Sequence, residues 1–336
     1  MSPSWLDKFD STRCRSSAAD FRYRVFSVLY RGSRSDVYLA KHIDNMTKVC
    51  LKSIRCSDTR GIRVAQNELV AAFGTTKARS SCAEFVHVSE WFWNGSSGIP
   101  AIILVMEPCD MSLEDFLAKV KFFAQSERRP HAVSLSVVAE LMCDMLRAVL
   151  FLETVKVVHQ DVKSSNILWK RASAVSGVWK LSDFGSIRCF ADKPTRAVHR
   201  RANFTGTVFT ASPESLRCEW SRIGSSSDTW SLGCVIWEVV CLQRPFLISD
   251  LLYFQNSSLS SAEFPIAEYI SRRTGGPSSH RRTKILAAVR AKLLITDPSK
   301  RPLASYLIHQ GFVDSLVSPI DLKTVRGMTP FNYIAS

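Results

Sequence analysis

The stretch VVHQDVKSSNILW, residues 157–169, places several polar side chains between apolar flanks. Asp161 and Asn166 lie five positions apart on a predicted loop, with Lys163 between them. A carboxylate and an amide on one loop can orient a hydroxyl group and supply oxygen ligands to a divalent cation, and a nearby lysine can neutralise a phosphate. The stretch therefore predicts chemistry on a phosphate group.

A second acidic group follows in LSDFG, residues 181–185, where Asp183 stands beside a glycine. Together the two motifs resemble the catalytic loop and the DFG element of eukaryotic protein kinases. The resemblance extends from about residue 22 to residue 313, with the motifs in the expected order. The other matching motifs are VCLK (49–52), LVMEPC (104–109), GTVFTASPE (206–214), DTWSLG (228–233) and DPSKRP (297–302).

The resemblance implies a catalytic and metal-binding set. Asp161 would be the catalytic base, and Lys163 the lysine on the phosphate side. Lys52 would grip the α- and β-phosphates of ATP and pair with Glu68, in a helix predicted over 64–73. Asn166 and Asp183 would hold Mg²⁺.

The resemblance also implies a nucleotide site. The residues that would contact ATP are Gly32, Val37, Cys50, Lys52, Glu107, Cys109 and Leu168. Glu107 and Cys109 would bond adenine through their backbone, beside Met106 as the gatekeeper. ATP and Mg²⁺ are thus the expected cofactors.

Other matching residues are expected to be structural. His159 would pack in the core and brace the loop, and Asp228 would support the loop from the start of a helix. Arg301 and Glu214 would form a buried ion pair, in which loss of one partner strands the other charge.

The pattern along the chain predicts two lobes. Short β-branched and aromatic runs before residue 107, with one helix, give way to mostly helical periodicity. The expected fold is therefore the α+β bilobal protein kinase fold. We predict a polar leader (1–21), a kinase domain (22–313) with N-lobe (22–107) and C-lobe (110–313), and a short tail (314–336).

Composition limits the location and the partners. The ten cysteines form no CxxC pair, and the sequence shows neither a signal peptide nor an apolar run of about 20 residues. We therefore expect an intracellular protein of the cytoplasm or nucleus, without a membrane span. The net charge of +14 suits acidic or already phosphorylated protein substrates, while nucleic acid is not expected as a partner. Basic residues are densest at 196–201 and 271–284.

The glycine-rich loop departs from the family. The pattern GxGxxGxV aligns with YRGSRSDV, residues 30–37, so only Gly32 remains, and Tyr30 and Ser35 replace the outer glycines. Side chains there limit the approach of the backbone to phosphates, which predicts weakened ATP affinity. This loop favours the alternative function, a pseudokinase-like binding scaffold with little catalysis, whereas the retained catalytic residues oppose it.

Gln160 is a further departure, because most family members have arginine between the histidine and the aspartate. A neutral side chain needs no phosphate on the activation segment to balance it. We therefore predict activity without phosphorylation of that segment. The lysine in DVKSSN indicates phosphorylation of serine and threonine rather than tyrosine.

Overall fold

The chain divides into two compact units. The computed structural model describes residues 14–15, 22–73, 82–95, 98–126, 132–173, 176–189, 206–256 and 280–317. The first unit is Met1–Cys109 with Asp183–Ser186, and the second is Asp110–Ser182 with Ile187–Ser336. The first is mainly β-sheet and the second mainly helical, so the predicted α+β class is confirmed. Most of the predicted leader and tail lies outside the described residues.

The first unit is built on one sheet and one helix. Its elements are β1 (Cys14–Arg15), β2 (Tyr23–Arg31), β3 (Ser35–His42), β4 (Lys48–Arg55), α1 (Thr59–Phe73), β5 (Val88–Asn94) and β6 (Ala101–Met106). The strands are ordered β1-β5-β6-β4-β3-β2. Strands β2 to β6 pair antiparallel, as alternating apolar runs separated by turns predict, and β1 pairs parallel with β5.

Helix α1 packs on this sheet through an apolar face. Leu69 is fully buried in a cluster with Ile54, Trp91 and Leu104 of the strands. The helix begins at Thr59, five residues before the predicted start at 64. Asp58 explains the difference, because its carboxylate accepts a hydrogen bond of 2.6 Å from the Gly61 amide and so caps the first turn.

The second unit contains seven helices among its described residues, with short strands between them. The strands are β7 (Met111–Ser112), β8 (Val157–Val158), β9 (Ile167–Arg171), β10 (Gly177–Leu181) and β11 (Arg188–Cys189). The helices are α2 (Leu113–Ser126), α3 (Leu135–Thr154), α4 (Pro213–Leu216), α5 (Ser225–Cys241), α6 (Ile248–Asn256), α7 (His280–Lys292) and α8 (Ala304–His309). Strands β10, β9 and β7 form one small sheet, and β11 pairs with β8.

Helices α3 and α5 form the centre of this unit. Helix α3 starts at its cap Ser134, whose side chain accepts from the Val137 amide at 3.3 Å. Helix α5 is buried nearly all round, as predicted from the run 228–241, which is apolar nearly all round. None of the helices in the described ranges has the length and apolar character needed to cross a membrane.

The apolar run ILAAVRAKLLI predicts a helix over residues 285–295. The observed helix α7 instead runs from 280 to 292, and Arg282 in its first turn donates to the carbonyls of Val133 (2.6 Å) and Val240 (3.2 Å). Leu293 and Leu294 leave the helix and pack on Gly233 of α5. A Cβ atom at Gly233 would lie 2.8 Å from Leu293. This contact therefore requires glycine.

Candidate active site

Lys52, Glu68 and Asp183 meet in the first unit. The Lys52 ammonium lies 2.5 Å from a Glu68 carboxylate oxygen and 2.8 Å from an Asp183 oxygen. The Lys52 and Glu68 side chains are only 8% and 5% exposed. Burial favours the neutral form of Lys52, but the charges of Asp183 and Glu68 outweigh it and raise the lysine's pKa. The lysine is therefore charged at neutral pH.

The segment Phe184–Ser186 holds Asp183 beside this lysine. The Asn67 amide, on α1, donates to the Gly185 carbonyl at 2.8 Å. The Phe184 ring is buried and packs edge-on against Phe85, with centroids 5.3 Å apart. Asp183 itself has a φ of 63°, a left-handed conformation that non-glycine residues seldom adopt. These contacts keep the backbone in that conformation.

Several predicted nucleotide contacts lie on the same sheet. Val37 on β3 pairs with Lys52 on β4, and the buried Cys50 on β4 pairs with Met106 on β6. The Glu107 amide donates to the His87 carbonyl at 3.0 Å. The half-buried Cys109 ends this unit, whereas Leu168 belongs to the second unit, on β9.

The Asp161 carboxylate in the second unit accepts contacts from four donors. One oxygen accepts the amide and the hydroxyl of Thr207, both at 2.8 Å. The other lies 2.8 Å from the Lys163 ammonium and 3.0 Å from the Asn166 amide nitrogen. Lys163 also donates to the Thr207 hydroxyl at 2.9 Å. This network holds the carboxylate in one orientation, although its residues are up to 46 positions apart.

The loop around Asp161 rests on buried groups. The fully buried Asp228 accepts the backbone amides of His159 (2.7 Å) and Gln160 (2.9 Å). Burial raises the pKa of Asp228 to about 7 against the lowering effect of these two bonds. His159 is completely buried, with its Nε2 3.1 Å from the Ser182 carbonyl. Both residues thus have the supporting positions expected from the sequence.

Gln160 adopts a left-handed conformation, with a φ of 64°. The residue is 8% exposed, and its side-chain amide nitrogen is buried without a hydrogen-bond partner among the described residues. An unpaired buried amide costs free energy. The left-handed backbone and this unpaired donor were not evident from the sequence.

Asn166 and Asp183, the expected metal ligands, belong to different units. The side-chain nitrogen of Asn166 donates to Asp161, so the side-chain oxygen of Asn166 is the atom that could bind a metal ion. A carboxylate and an amide oxygen are hard ligands of the kind that Mg²⁺ takes. The chemistry of the two side chains therefore fits the expected ion.

Sequence reasoning missed three contacts of this region. The Asn67 side chain, next to Glu68, donates to the Gly185 carbonyl. The Arg55 side chain donates to the Gly32 carbonyl and to the Asp36 carboxylate, and these two contacts hold the turn that contains Gly32. No spacing rule signals such contacts, because they join polar side chains to backbone carbonyls or to residues far along the chain. The fold was needed to find them.

A family of known proteins matches most of this chain. Residues 23–313 match the family model described as protein kinase domain. The chain therefore belongs to the protein kinase family.

Individual relatives are distant in sequence. The chain is similar to the mouse protein named serine/threonine-protein kinase Nek5, with 24% identity over 88% of this chain and 41% of the relative. It is 25% identical to bovine cyclin-dependent kinase 9 over 98% of this chain and 91% of that protein. It is 28% identical to serine/threonine-protein kinase PknB of Mycobacterium leprae over 67% of this chain and 33% of the relative. The chain thus spans less than half of Nek5 and PknB.

Proposed function

We propose that this protein transfers the γ-phosphoryl group of ATP to serine and threonine side chains of protein substrates. The observation that carries the proposal is the Asp161 carboxylate, held by Thr207, Lys163 and Asn166 on the loop that the family uses for catalysis. The names of two relatives and the lysine in DVKSSN favour serine and threonine over tyrosine.

The residues have distinct roles in this proposal. Lys52, fixed by Glu68, binds the α- and β-phosphates as a permanent cation. Asp161 orients the substrate hydroxyl and accepts its proton as the hydroxyl oxygen bonds to phosphorus and the bond to the ADP oxygen breaks. Asn166 and Asp183 would hold Mg²⁺, which neutralises phosphate charge when bound.

Asp161 needs a free lone pair for this role, and its four contacts occupy both oxygens. Lys163 is the donor suited to leave, since its side chain is 26% exposed and a phosphate would attract its ammonium. Movement of Lys163 to the phosphate frees one lone pair on the Asp161 oxygen that Asn166 also contacts, and this lone pair can accept the substrate hydroxyl. Thr207 and Asn166 still hold the carboxylate in place.

The substrate preference is also a proposal. Acidic or already phosphorylated sequences would suit the basic residues near the activation segment. Of these, Arg188 stacks on Trp220, with 4.5 Å from its guanidinium carbon to the ring centroid. Lys193, Arg196, Arg200 and Arg201 lie outside the described residues, as does most of the basic stretch 271–284.

The test is phosphate transfer from γ-labelled ATP to peptide libraries that fix serine, threonine or tyrosine as the acceptor. We expect label on serine and threonine in the presence of Mg²⁺ and no label with excess chelator. A Lys52→Met protein purified in the same way controls for contaminating kinases and should lose about 10²- to 10³-fold in rate. ATP binding without any transfer would instead support the pseudokinase-like scaffold, which the degraded glycine-rich loop favours.

Activity should not depend on phosphate on the activation segment. Gln160 carries no charge, so it requires no phosphate as a counter-charge. We expect phosphatase treatment, or Thr205→Ala in a segment outside the described residues, to change the rate by less than about twofold. Gln160→Arg is the matched variant, and it should become sensitive to phosphatase because it buries an unpaired charge. A wild-type enzyme silenced by phosphatase alone would contradict this prediction.

A further inference from the structure

The turn between β2 and β3 closes tightly on its remaining glycine. The Gly32 amide donates to the Ser35 carbonyl at 2.9 Å. A Cβ atom at Gly32 would come within 2.7 Å of the Tyr30 ring and 3.0 Å of the Ser35 oxygen. A side chain at this position would therefore have to displace the exposed Tyr30 ring and would crowd the Ser35 carbonyl, so the turn is closely packed around Gly32.

Arg55, the last residue of β4, holds this turn at three points. Its guanidinium donates to the Gly32 carbonyl at 2.8 Å and to the Asp36 carboxylate at 2.5 Å. Its backbone amide donates to the Arg34 carbonyl at 2.9 Å. One side chain and its own amide thus connect both arms of the turn to the end of a central strand.

Asp36 is the acidic partner in this arrangement, and its side chain is 11% exposed against 29% for Arg55. The Tyr38 hydroxyl donates to the same Asp36 oxygen at 3.3 Å. Burial would raise the pKa of Asp36, but Arg55, Tyr38 and the Gly32 backbone together lower it. The carboxylate is therefore ionised at neutral pH and available to hold the guanidinium.

Arg55 also contacts the start of α1. A Cβ atom at Gly61 would lie only 2.1 Å from the Arg55 carbonyl oxygen. The first turn of α1 therefore packs directly against the backbone of Arg55. Glu68, which orients Lys52, lies on the same helix. Arg55 thus contacts both the turn between β2 and β3 and helix α1, whose Glu68 orients Lys52.

We propose that Arg55 and Asp36 form a strut that sets the position of the turn at residues 31–35 for contact with nucleotide phosphates. This inference rests on the proposed function and on the ATP contact that the family resemblance implies for Gly32. Tyr30 and Ser35 restrict the turn where the family has glycine, so the conformation that it holds decides which backbone groups can reach a phosphate. The strut holds the turn in that conformation before ATP binds, so that ATP binding does not have to order the turn at a cost in conformational entropy.

The test compares ATP with adenosine, because only ATP carries the phosphates that the turn would contact. We expect Arg55→Met to weaken ATP binding about tenfold and to leave adenosine binding unchanged. Kinetics should show the same split, with a raised KM for ATP and a nearly unchanged kcat. Asp36→Asn keeps an acceptor and should have a smaller effect. The double variant should be no weaker than Arg55→Met, since the two residues act as one unit.

Lys48→Met is the control for loss of a positive charge, because Lys48 is exposed on the same strand. It should leave both affinities unchanged. Equal losses for ATP and adenosine in Arg55→Met would show a general structural role and overturn the strut, as would an unchanged affinity for ATP. A wild-type protein that binds no ATP would overturn the proposed function itself, and with it the inference.

Discussion

Asp161→Asn is expected to lower kcat by about 10³-fold or more while leaving ATP binding unchanged. The substitution keeps the size of the side chain but removes the proton acceptor. It also places an NH₂ group against either the two donors of Thr207 or those of Lys163 and Asn166. Neither orientation satisfies all contacts, so the loop loses both its base and its alignment.

The measurement is phosphate transfer at saturating ATP and peptide, together with nucleotide binding by fluorescence. Asp314→Asn, at an exposed carboxylate of the second unit, is the matched control and should be fully active. Unfolding of both variants should be compared with the wild type to exclude a folding defect. Retention of a tenth of the wild-type kcat by Asp161→Asn would rule out Asp161 as the base.

Arg301→Met should destabilise the second unit by about 3–5 kcal/mol. Arg301 and Glu214 are buried, with a guanidinium-to-carboxylate distance of 2.8 Å and side chains that are 0% exposed. Arg301 also donates to the carbonyls of Ser226 (2.7 Å) and Ile295 (2.8 Å). Methionine fills much of the volume but leaves the Glu214 carboxylate and these carbonyls without their donor.

Thermal and urea unfolding would measure this loss, with Arg290→Met at an exposed position of α7 as the control. Burial would raise the pKa of Glu214, but Arg301 outweighs it and lowers that pKa. The pair's contribution is therefore present above the ordinary glutamate pKa and is lost as pH falls through the folded value. The difference between wild type and Arg301→Met should shrink in acid. Destabilisation equal to that of Arg290→Met would contradict the prediction.

Much of the fold could be predicted from particular segments. The run of 228–241 is apolar nearly all round, and it forms most of the buried helix α5. The hairpin of β5 and β6 follows from two apolar runs around a glycine-containing turn. Helix boundaries were less predictable, because α1 starts at a cap formed by Asp58 and α7 starts where Arg282 reaches two distant carbonyls. Such contacts depend on residues that are not neighbours in sequence.

The sequence by itself determined the family, the order of the elements and the residue types available for phosphate transfer. These follow from spacing: the positions of Asp161, Lys163 and Asn166 on one loop need no knowledge of the fold. Only the tertiary structure decided that Thr207 closes the network around Asp161 and that Arg55 and Asp36 hold the turn around Gly32. The physical reason is that hydrogen bonds depend on distance and direction in space, and residues 46 and 19 positions apart acquire these only when the chain folds.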